Sequence, residues 1–487
     1  MKNILIAIRS IFKKGRHNVM KIVSLGIGLA VGLVLIAKVY FEQSYDDFYP
    51  DRDRVYQVWA KYQQNGGELK DYPQTSGGIA PTMQQQIPEI ETVTRYTSFG
   101  DWTFTMTDTK MKYSGRCIIA DSCFFDILPR PMLIGNAKEV LSTPMYVLIS
   151  SRIAKNIGGD VIGKNFTVDN SPGRTMTIGG VFEEVPENSH SRYDVIVSMA
   201  SAGRFMWEGS PTNMLGNDRY ISYVKLHKGV NPLALEEQVR TFVNSYFPPE
   251  EQQKVGLSID FSFHKLDNLH KELPQVKRMT WILSLLAFAL IFTAVMNYIL
   301  IVISSIVNRS KEVAVHKCYG ASENNIHGMM FGEALVHIVL SLILALLLIL
   351  AFRGTVEELL ATSLDSLLLS NGSLVLLGIC ILVFFVSGFM PGSLYARIPV
   401  ASAFRNYREN KRIWKKALLL VQFVATGFLV TMLVFVARQY TFMVNDRPGY
   451  AYENLAYCGL AGVDSTSRAK ILDEVMRLPG VAAATTV

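Results

Sequence analysis

Charged residues are scarce in this chain. Of its 487 residues, 18% are Asp, Glu, Lys or Arg, whereas a soluble protein of this length carries about 25%. Hydrophobic residues make up 49%. This deficit of charge predicts segments that face lipid, and the length allows more than one domain. The net charge of +7 is small and dispersed, which argues against the concentrated basic footprint of a nucleic-acid-binding protein.

Cysteines are few, and catalytic signatures are missing. The five cysteines form neither a CxxC pair nor a zinc spacing. Cys117 and Cys123 are close enough in sequence to be cross-linked outside the cytoplasm, but two unpaired buried thiols are the favoured interpretation. No HExxH or GxSxG motif occurs. We therefore predict no catalytic residue, no metal site and no cofactor.

One segment imitates a nucleotide-binding loop. Gly158 to Lys164 reads GGDVIGK and satisfies G-x-x-x-x-G-K. A P-loop continues with Ser or Thr and follows a strand, whereas here Asn165 comes next and the preceding segment has helical spacing. We interpret the segment as a glycine-rich turn.

Long apolar runs predict the architecture. A membrane-spanning helix needs about 20 mostly apolar residues. Lys21 and Lys38, near the ends of the first run, are expected to extend to the membrane interface. That run is longer than the apolar core of a signal peptide and lacks a cleavage site, so we interpret it as an uncleaved anchor. The five predicted spans are Val19 to Tyr40, Trp281 to Val307, Met329 to Phe352, Ser373 to Tyr395 and Ala417 to Val436.

Basic residues orient these spans. Residues 354–372, between the third and fourth spans, contain Glu357 and Asp365 but no Lys or Arg. The N-terminus and two basic loops are therefore predicted to be cytoplasmic, and the long segment after the first span to lie outside. The orienting basic residues are Lys2, Arg9, Lys13, Lys14 and Arg16, then Arg309, Lys311 and Lys317, and finally Arg397, Arg405, Arg408, Lys411, Arg412, Lys415 and Lys416.

The outer segment has the pattern of a mixed α/β domain. Short β-branched and aromatic runs predict strands, and runs with helical spacing and polar faces predict helices. The predicted strands are Val55 to Ala60, Met176 to Phe182 and Tyr193 to Ser198, and the predicted helices are Pro81 to Gln86, Ser150 to Asn156 and Pro232 to Tyr246.

Two of three polar residues inside the predicted spans, Glu333 and His337, could bind a metal or relay protons, but a structural role is favoured for all three. Glu333 and His337 are four residues apart and share one helix face. Because no third ligand is evident, we interpret them as a pair that makes contacts between helices. Asn297 is interpreted as an interhelical hydrogen-bonding residue.

Residues 309–322, RSKEVAVHKCYGAS, form a short charged helix between two spans. Gly320 suits the end of that helix, and Ser322 with Glu323 suits the start of the next. A rigid charged helix here could pass motion to a soluble partner, and it could equally bind anionic headgroups; the residues alone do not decide between the two.

This segment resembles the cytoplasmic loop of the MacB/FtsX-type ABC transporter permease family, whose pattern is close to R-x-K-E-[VI]-[GA]-[VI]-[RH]-[KR]-x-x-G-A. Three outer segments are also similar to the family: PDRDRVYQV at Pro50, FFDILPRPMLIGN at Phe124 and GGVFEEVPENSHSRYDVIVS at Gly179. LLLVQFVATGFLV, from Leu418, looks like the start of the second half of tandem, eight-span members. The residues that match the loop pattern are Arg309, Lys311, Glu312, Val313, Ala314, Val315, His316, Lys317, Gly320 and Ala321.

The resemblance implies an α-helical polytopic membrane protein with a large mixed α/β extracytoplasmic domain of the MacB-like periplasmic core type. A weak repeat between the two ends of the chain leads us to expect that it stops within the second half of a tandem permease. The expected parts are an amphipathic N-terminal helix (1–18), a first span (19–40), the outer domain (41–279), an FtsX-like transmembrane domain (280–396) with its coupling loop (308–322), a basic linker (397–416), a fifth span (417–437) and the start of a second outer domain (438–487).

For function, the resemblance implies a permease subunit of the bacterial inner membrane without ATPase activity of its own. A cytoplasmic ABC ATPase would push on the coupling loop, and the motion would drive efflux or release of periplasmic peptides, lipoproteins or hydrophobic toxins. The implied partners are that ATPase, a second permease copy or paralogue, membrane lipid and a periplasmic adaptor, with no nucleic acid. An FtsX-like regulator of a periplasmic enzyme is the alternative, and a membrane-bound enzyme is disfavoured because no catalytic constellation is visible.

Overall fold

The computed structural model describes residues 17–168, 171–368, 372–396, 413–445, 454–459 and 465–485. The predicted N-terminal helix and most of the basic linker lie outside these ranges.

The chain divides into two compact units, residues 1–44 with 273–451 and residues 45–272 with 452–487. We call α1 and α9–α15 the helical bundle, and residues 45–272 the sheet domain. The helices are α1 (Asn18–Gln43), α2 (Ile79–Gln86), α3 (Phe124–Ile127), α4 (Ala137–Ser142), α5 (Ser151–Ile157), α6 (Ala202–Phe205), α7 (Glu236–Tyr246), α8 (Pro249–Val255), α9 (Pro274–Ser304), α10 (Ile306–Cys318), α11 (Glu323–Ala351), α12 (Arg353–Leu360), α13 (Leu364–Leu368), α14 (Ser373–Ala396), α15 (Ile413–Asn445) and α16 (Ser465–Met476).

Five helices of the described chain, α1, α9, α11, α14 and α15, are long and apolar enough to cross a membrane. Within the bundle, α1 packs closely on its neighbours through glycines. A Cβ added at Gly28 would overlap the Cβ of Ala294 on α9, and one added at Gly26 would lie 2.9 Å from the Leu344 side chain on α11. Small residues let helix backbones approach this closely, which is how helices associate where lipid removes the hydrophobic drive.

The two lysines of α1 differ from expectation. Lys21 is 0% exposed, and its Nζ lies 3.5 Å from Glu333 on α11. Lys38 is also buried, and its Nζ lies 2.7 Å from Glu42 and donates to Thr362 at 2.8 Å. The prediction that both side chains extend to the interface is therefore wrong. A buried carboxylate offers each ammonium a partner inside the bundle, so neither needs to reach water.

The sheet domain is built on one mixed sheet of eleven strands. Its strand order is β11-β1-β10-β3-β4-β9-β6-β8-β5, with β2 pairing with β1 and β7 pairing with β3 and β8. The β4–β9 and β6–β8 pairs are parallel. The strands, in chain order, are β1 (Val55–Gln64), β2 (Lys70–Tyr72), β3 (Ile90–Met106), β4 (Lys112–Ala120), β5 (Met132–Ile134), β6 (Tyr146–Ser150), β7 (Asn165–Val168), β8 (Ser171–Phe182), β9 (Val195–Ser198), β10 (Ile221–Leu226) and β11 (Leu257–Lys265).

Burial of the strands follows their position in the sheet. All four residues of β9, with sequence VIVS, are buried, as expected for a central strand covered on both faces. The predicted strand at Met176 to Phe182 lies within β8, and the one at Tyr193 begins two residues later, at Val195. The predicted helix at Pro232 begins as the 3-10 turn Pro232–Leu235 and continues as α7. The predicted fold class, a polytopic helical protein with a mixed α/β domain, is confirmed.

The glycine-rich segment after α5 is a turn, as predicted. Gly158, Gly159 and Gly163 have φ angles of 76°, 64° and 76°, in the left-handed region that glycine adopts at little cost. The cysteine interpretation also holds in part: Cys117 and Cys123 are both free thiols, but only Cys117 is fully buried and Cys123 is half-buried.

Candidate functional site

The segment predicted to couple to a partner forms a short helix between two long ones. Helix α9 ends at Ser304, Ser305 forms the junction, and α10 then runs from Ile306 to Cys318. The Ser305 hydroxyl donates to the carbonyl of Val302 at 2.6 Å and lies 3.2 Å from the hydroxyl of Tyr395 on α14. Tyr395 is buried and also donates to the Val302 carbonyl at 3.1 Å. The end of α14 therefore fixes the junction between α9 and α10.

The end of α10 is capped by glycine, as predicted. Gly320 has φ +84°, and its amide donates to the carbonyl of Lys317 at 3.0 Å. The amide of Ala321 donates to the carbonyl of His316 at 3.0 Å. These two bonds form the Schellman motif, which satisfies the last carbonyls of a helix. The turn is thus defined by backbone hydrogen bonds.

The next helix begins immediately. The hydroxyl of Ser322 accepts a hydrogen bond from the amide of Asn325 at 3.4 Å and forms the N-cap of α11, with Glu323 in the first turn. A capped helix end is more stable by about 1 kcal/mol, and an acidic residue there is favoured by the helix dipole. Both predictions, for Gly320 and for Ser322, are confirmed. We call α10 with the turn to Ser322 the corner.

One side of the corner is buried and the other is open. Val313 and Ala314 are buried in the apolar core of the helical bundle. Val315 is 43% exposed and Tyr319 is 89% exposed. Since these two are four residues apart, they lie on one face of the helix. The corner is anchored by its buried side and presents an apolar patch on its open side.

The remaining predicted residues surround this patch. Lys311, His316 and Gly320 are exposed, while Glu312, Lys317 and Ala321 are half-buried. Arg309 lies within α10, and its side chain is outside the part that the structure describes. Sequence reasoning missed Tyr395, whose only signal was a tyrosine at the end of an apolar run.

A polar cluster lies inside the bundle. Glu333 is 6% exposed and faces Lys21, whose Nζ also contacts Asn18 Oδ1 at 3.3 Å. One turn further along α11, His337 Nδ1 lies 3.1 Å from the hydroxyl of Tyr298 on α9. Glu333 and His337 thus both make contacts between helices, and their partners come from two other helices.

Asn297 behaves as predicted. Its Oδ1 accepts a hydrogen bond from the side-chain amide of Gln422 on α15. This bond fastens the fifth apolar helix to α9, and interhelical bonds of this kind are typical of polar residues within membrane spans.

In the sheet domain, the three segments that resemble the family converge on one core. Val55 from the first segment, Phe124 from the second and Tyr193 from the third are all buried in a single hydrophobic cluster. The Phe124 and Tyr193 rings pack edge to face at 5.4 Å. The three motifs therefore contribute residues to the hydrophobic core of the sheet domain.

The first residues of the sheet domain are held within it through His190. Asp46 Oδ2 lies 2.7 Å from His190 Nδ1, and His190 Nε2 is within hydrogen-bonding distance of the Tyr223 hydroxyl. Ser189 donates to the other oxygen of Asp46 at 3.0 Å. Asp46 has φ +60° and is buried, so these bonds offset the cost of an unusual backbone and a buried carboxylate.

Among the residues that the structure describes, no group of three His, Cys, Asp or Glu side chains could hold a metal ion.

Comparisons with known proteins agree with this arrangement. The family described as MacB-like periplasmic core domain matches residues 20–242, and the family described as FtsX-like permease C-terminal matches residues 284–400. No curated protein matches the chain.

Two solved structures are similar to it. One is a domain of a permease protein from Porphyromonas gingivalis, with 33% sequence identity, which covers 45% of this chain and 91% of that one at a TM-score of 0.41. The other is the extracellular domain of the noncanonic ABC-type transporter YknZ from Gram-positive bacteria, with 10% identity, 43% and 98% coverage and a TM-score of 0.31.

The two family matches lie in the same order as the motifs in the sequence, the first over α1 and the sheet domain and the second over α9 to α14. The apolar helices and these matches together make the chain a membrane protein. It belongs to the MacB/FtsX-type family of ABC transporter permeases.

Proposed function

We propose that the chain is the permease subunit of an ABC transporter that couples ATP hydrolysis in a separate cytoplasmic ATPase to movement of the sheet domain outside the membrane. In this proposal the N-terminus and the corner are cytoplasmic, and the membrane is the bacterial inner membrane. The distribution of Lys and Arg between the spans supports that orientation.

The observation that carries the proposal is the form of the corner. A docking element must be rigid, exposed and anchored to the helices that it moves. The Schellman bonds at Gly320 make the turn rigid, Val313 and Ala314 anchor it, and Val315 and Tyr319 are exposed. Tyrosine is among the residues that contribute most to protein interfaces, because it buries a large rigid ring with a polar tip.

The charge around the patch also suits a protein partner. Lys311 and His316 are exposed beside Val315, and Glu323 is exposed after the turn. Mixed charge around an apolar centre is the usual composition of an interface rim. A headgroup-binding helix would present mainly basic residues, so this composition favours a protein surface over a lipid one.

The proposal for the transported substrate is less specific. The expected activity is efflux or release of periplasmic peptides, lipoproteins or hydrophobic toxins by mechanotransmission. A sheet domain spanning Tyr45–Glu272 is large for a regulator of a periplasmic enzyme, and this favours transport over the FtsX-like alternative. Accumulation of cargo would indicate transport, whereas altered activity of a cell-wall hydrolase would indicate the FtsX-like regulator.

The test is a pull-down of the full chain in gentle detergent from the source cells. We expect an ABC ATPase to be captured by the wild type, and Tyr319→Ala or Val315→Asp to weaken capture by roughly tenfold or more, about 1.4 kcal/mol. Gly320→Ala should also weaken it, because alanine at φ +84° costs about 1–2 kcal/mol.

Tyr440→Ala is the matched control, since Tyr440 is an exposed tyrosine on α15 outside the corner. The Tyr440→Ala variant should capture as much ATPase as the wild type does. Absence of any ATPase with the wild type would overturn the permease proposal. Equal capture by all variants would leave the permease in place and remove the corner as its docking element.

A further inference from the structure

A row of polar side chains follows one face of α11. Glu333, His337 and Ser341 are spaced by four residues each, so they lie in line along the helix. All three are buried. We call them the polar ladder.

Each member of the ladder contacts another helix. Glu333 faces Lys21 of α1 at 3.5 Å, and His337 faces the hydroxyl of Tyr298 of α9 at 3.1 Å. Ser341 donates to the backbone carbonyl of Ile22 of α1 at 3.1 Å. The ladder therefore ties α11 to α1 at two levels and to α9 at one.

Stability does not explain an ion pair in this place. Removing two charges from water is costly, and a buried pair regains that cost only with excellent geometry. A 3.5 Å contact between two almost fully buried groups is therefore weak evidence for a stabilising role. Ionisable residues inside membrane segments are rare and typically functional.

The ladder lies on the helix that leaves the corner, and its partners on α1 lie on the helix that leads into the sheet domain. Helix α11 begins at the corner, and at 1.5 Å per residue Glu333 is about 16 Å from Ser322. Helix α1 ends at Gln43, and the chain enters β1 at Val55. A push on the corner moves α11, and contacts between α11 and α1 can pass that movement to the helix that leads into the sheet domain.

The character of the contact matters for this role. An apolar helix contact holds its register through the fit of its side chains. A buried charge pair adds a further constraint, since displacing Glu333 from Lys21 would expose both charges to hydrocarbon. The pair therefore makes α1 follow α11.

We propose that the polar ladder, with the charged pair Lys21–Glu333 at one end, is the joint that transmits movement of the corner from α11 to α1. This inference rests on the proposed function, because it assumes that an ATPase drives the corner. Lys21 and Glu333 act through the helices and are positioning residues.

The experiment uses the full chain with the ATPase that it captures, reconstituted in lipid nanodiscs. Two quantities are measured: the amount of ATPase bound, and the change in hydrogen exchange of residues 45–54 when ATP is added. We expect Lys21→Met and Glu333→Gln to bind the ATPase within about twofold of the wild type, but to lose most of the ATP-dependent change in exchange.

Three further variants sharpen the test. Lys21→Arg keeps the charge and should retain at least half of the response. The double exchange of Lys21→Glu with Glu333→Lys restores opposite charges and should recover part of what the single variants lose. Lys38→Met is the matched control, because Lys38 is another buried lysine of α1 whose described partners are Glu42 on the same helix and Thr362 after α12; its response should be that of the wild type.

A normal ATP response in Lys21→Met would overturn the inference, and so would an equal loss in Lys38→Met, which would indicate general destabilisation. Both outcomes leave ATPase capture intact, so they are distinct from failure of the proposed function. If the wild type captures no ATPase, the proposed function fails and the inference fails with it.

Discussion

At the scale of single residues, Asp51 shows how one carboxylate organises a surface of the sheet domain. Lys225 Nζ lies 2.6 Å from Asp51 Oδ2, and Arg54 Nε lies 3.1 Å from Oδ1. Arg54 also pairs with Glu91. Hydrogen bonds from Lys225 and Arg54 lower the pKa of Asp51 below its ordinary value. The ionised form is therefore favoured by folding.

The direction of this shift fixes the pH dependence. A carboxyl with a lower pKa in the folded state stabilises the protein above the unfolded pKa, about 3.9 for Asp, and that contribution disappears as the pH falls through the folded pKa. Asp51→Asn should thus cost roughly 0.5–1 kcal/mol at pH 7, because the pair is partly exposed to water. The difference from the wild type should shrink as the pH falls below the unfolded pKa and through the folded one.

Thermal unfolding of the full chain in detergent, measured between pH 3 and 7, checks this. Asp53→Asn is the control, since Asp53 is exposed and only two residues away. A stability difference for Asp51→Asn that grows as the pH falls from 7 toward 3 would contradict the assigned pKa direction.

At the scale of elements, the contact of α1 with α9 depends on the pattern GLAVG. Gly28 and Gly32 are four residues apart, and a Cβ at either position would overlap Ala294 or Ile291 of α9. This is the G-x-x-x-G arrangement of closely packed membrane helices, and it was readable in the sequence, although the apolar run alone did not reveal which helix it would meet.

Replacing Gly28 by alanine tests the close approach. Gly28→Ala should destabilise the bundle by about 1–3 kcal/mol, because overpacking forces the helices apart. Gly378→Ala on α14 is the control: a Cβ there meets nothing within 4 Å, so it should be neutral or slightly stabilising through helix propensity. The test is thermal unfolding of both variants in detergent. Equal shifts in unfolding temperature for the two variants would contradict the close contact at Gly28.

At the scale of the whole molecule, the sheet domain contains its own core. Its three hydrophobic clusters consist entirely of residues between Phe48 and Leu269, and all eleven strands lie within the same range. A sheet whose partners and core come from one continuous segment has what a domain needs to fold alone.

We therefore expect the segment Tyr45–Glu272, produced without the helices, to be soluble and to unfold cooperatively. Circular dichroism with chemical denaturation is the measurement, and a single sharp transition with dispersed side-chain NMR signals is the expected result. A molten species with native-like secondary structure but no cooperative transition would contradict it.

Much of the corner could be predicted from the residues that build it. Gly320 and Ser322 act locally, through backbone hydrogen bonds within a few residues, so their roles as helix ends follow from the sequence alone. The apolar runs likewise predict the long helices, because a span requires about 20 apolar residues whatever surrounds it. Asn297 could be assigned to an interhelical bond, though its partner Gln422 could not.

What the sequence by itself determined, then, is local: the spans, the strands, the capped corner and the family motifs. Only the tertiary structure decided where the lysines of α1 point, which side of α10 is open, and that Tyr395 fixes the junction of α9 and α10. Lys21 and Glu333 are separated by more than 300 residues in the chain. A pattern in either helix predicts a buried face, but which helices meet, and in which register, is set by the packing of the whole bundle.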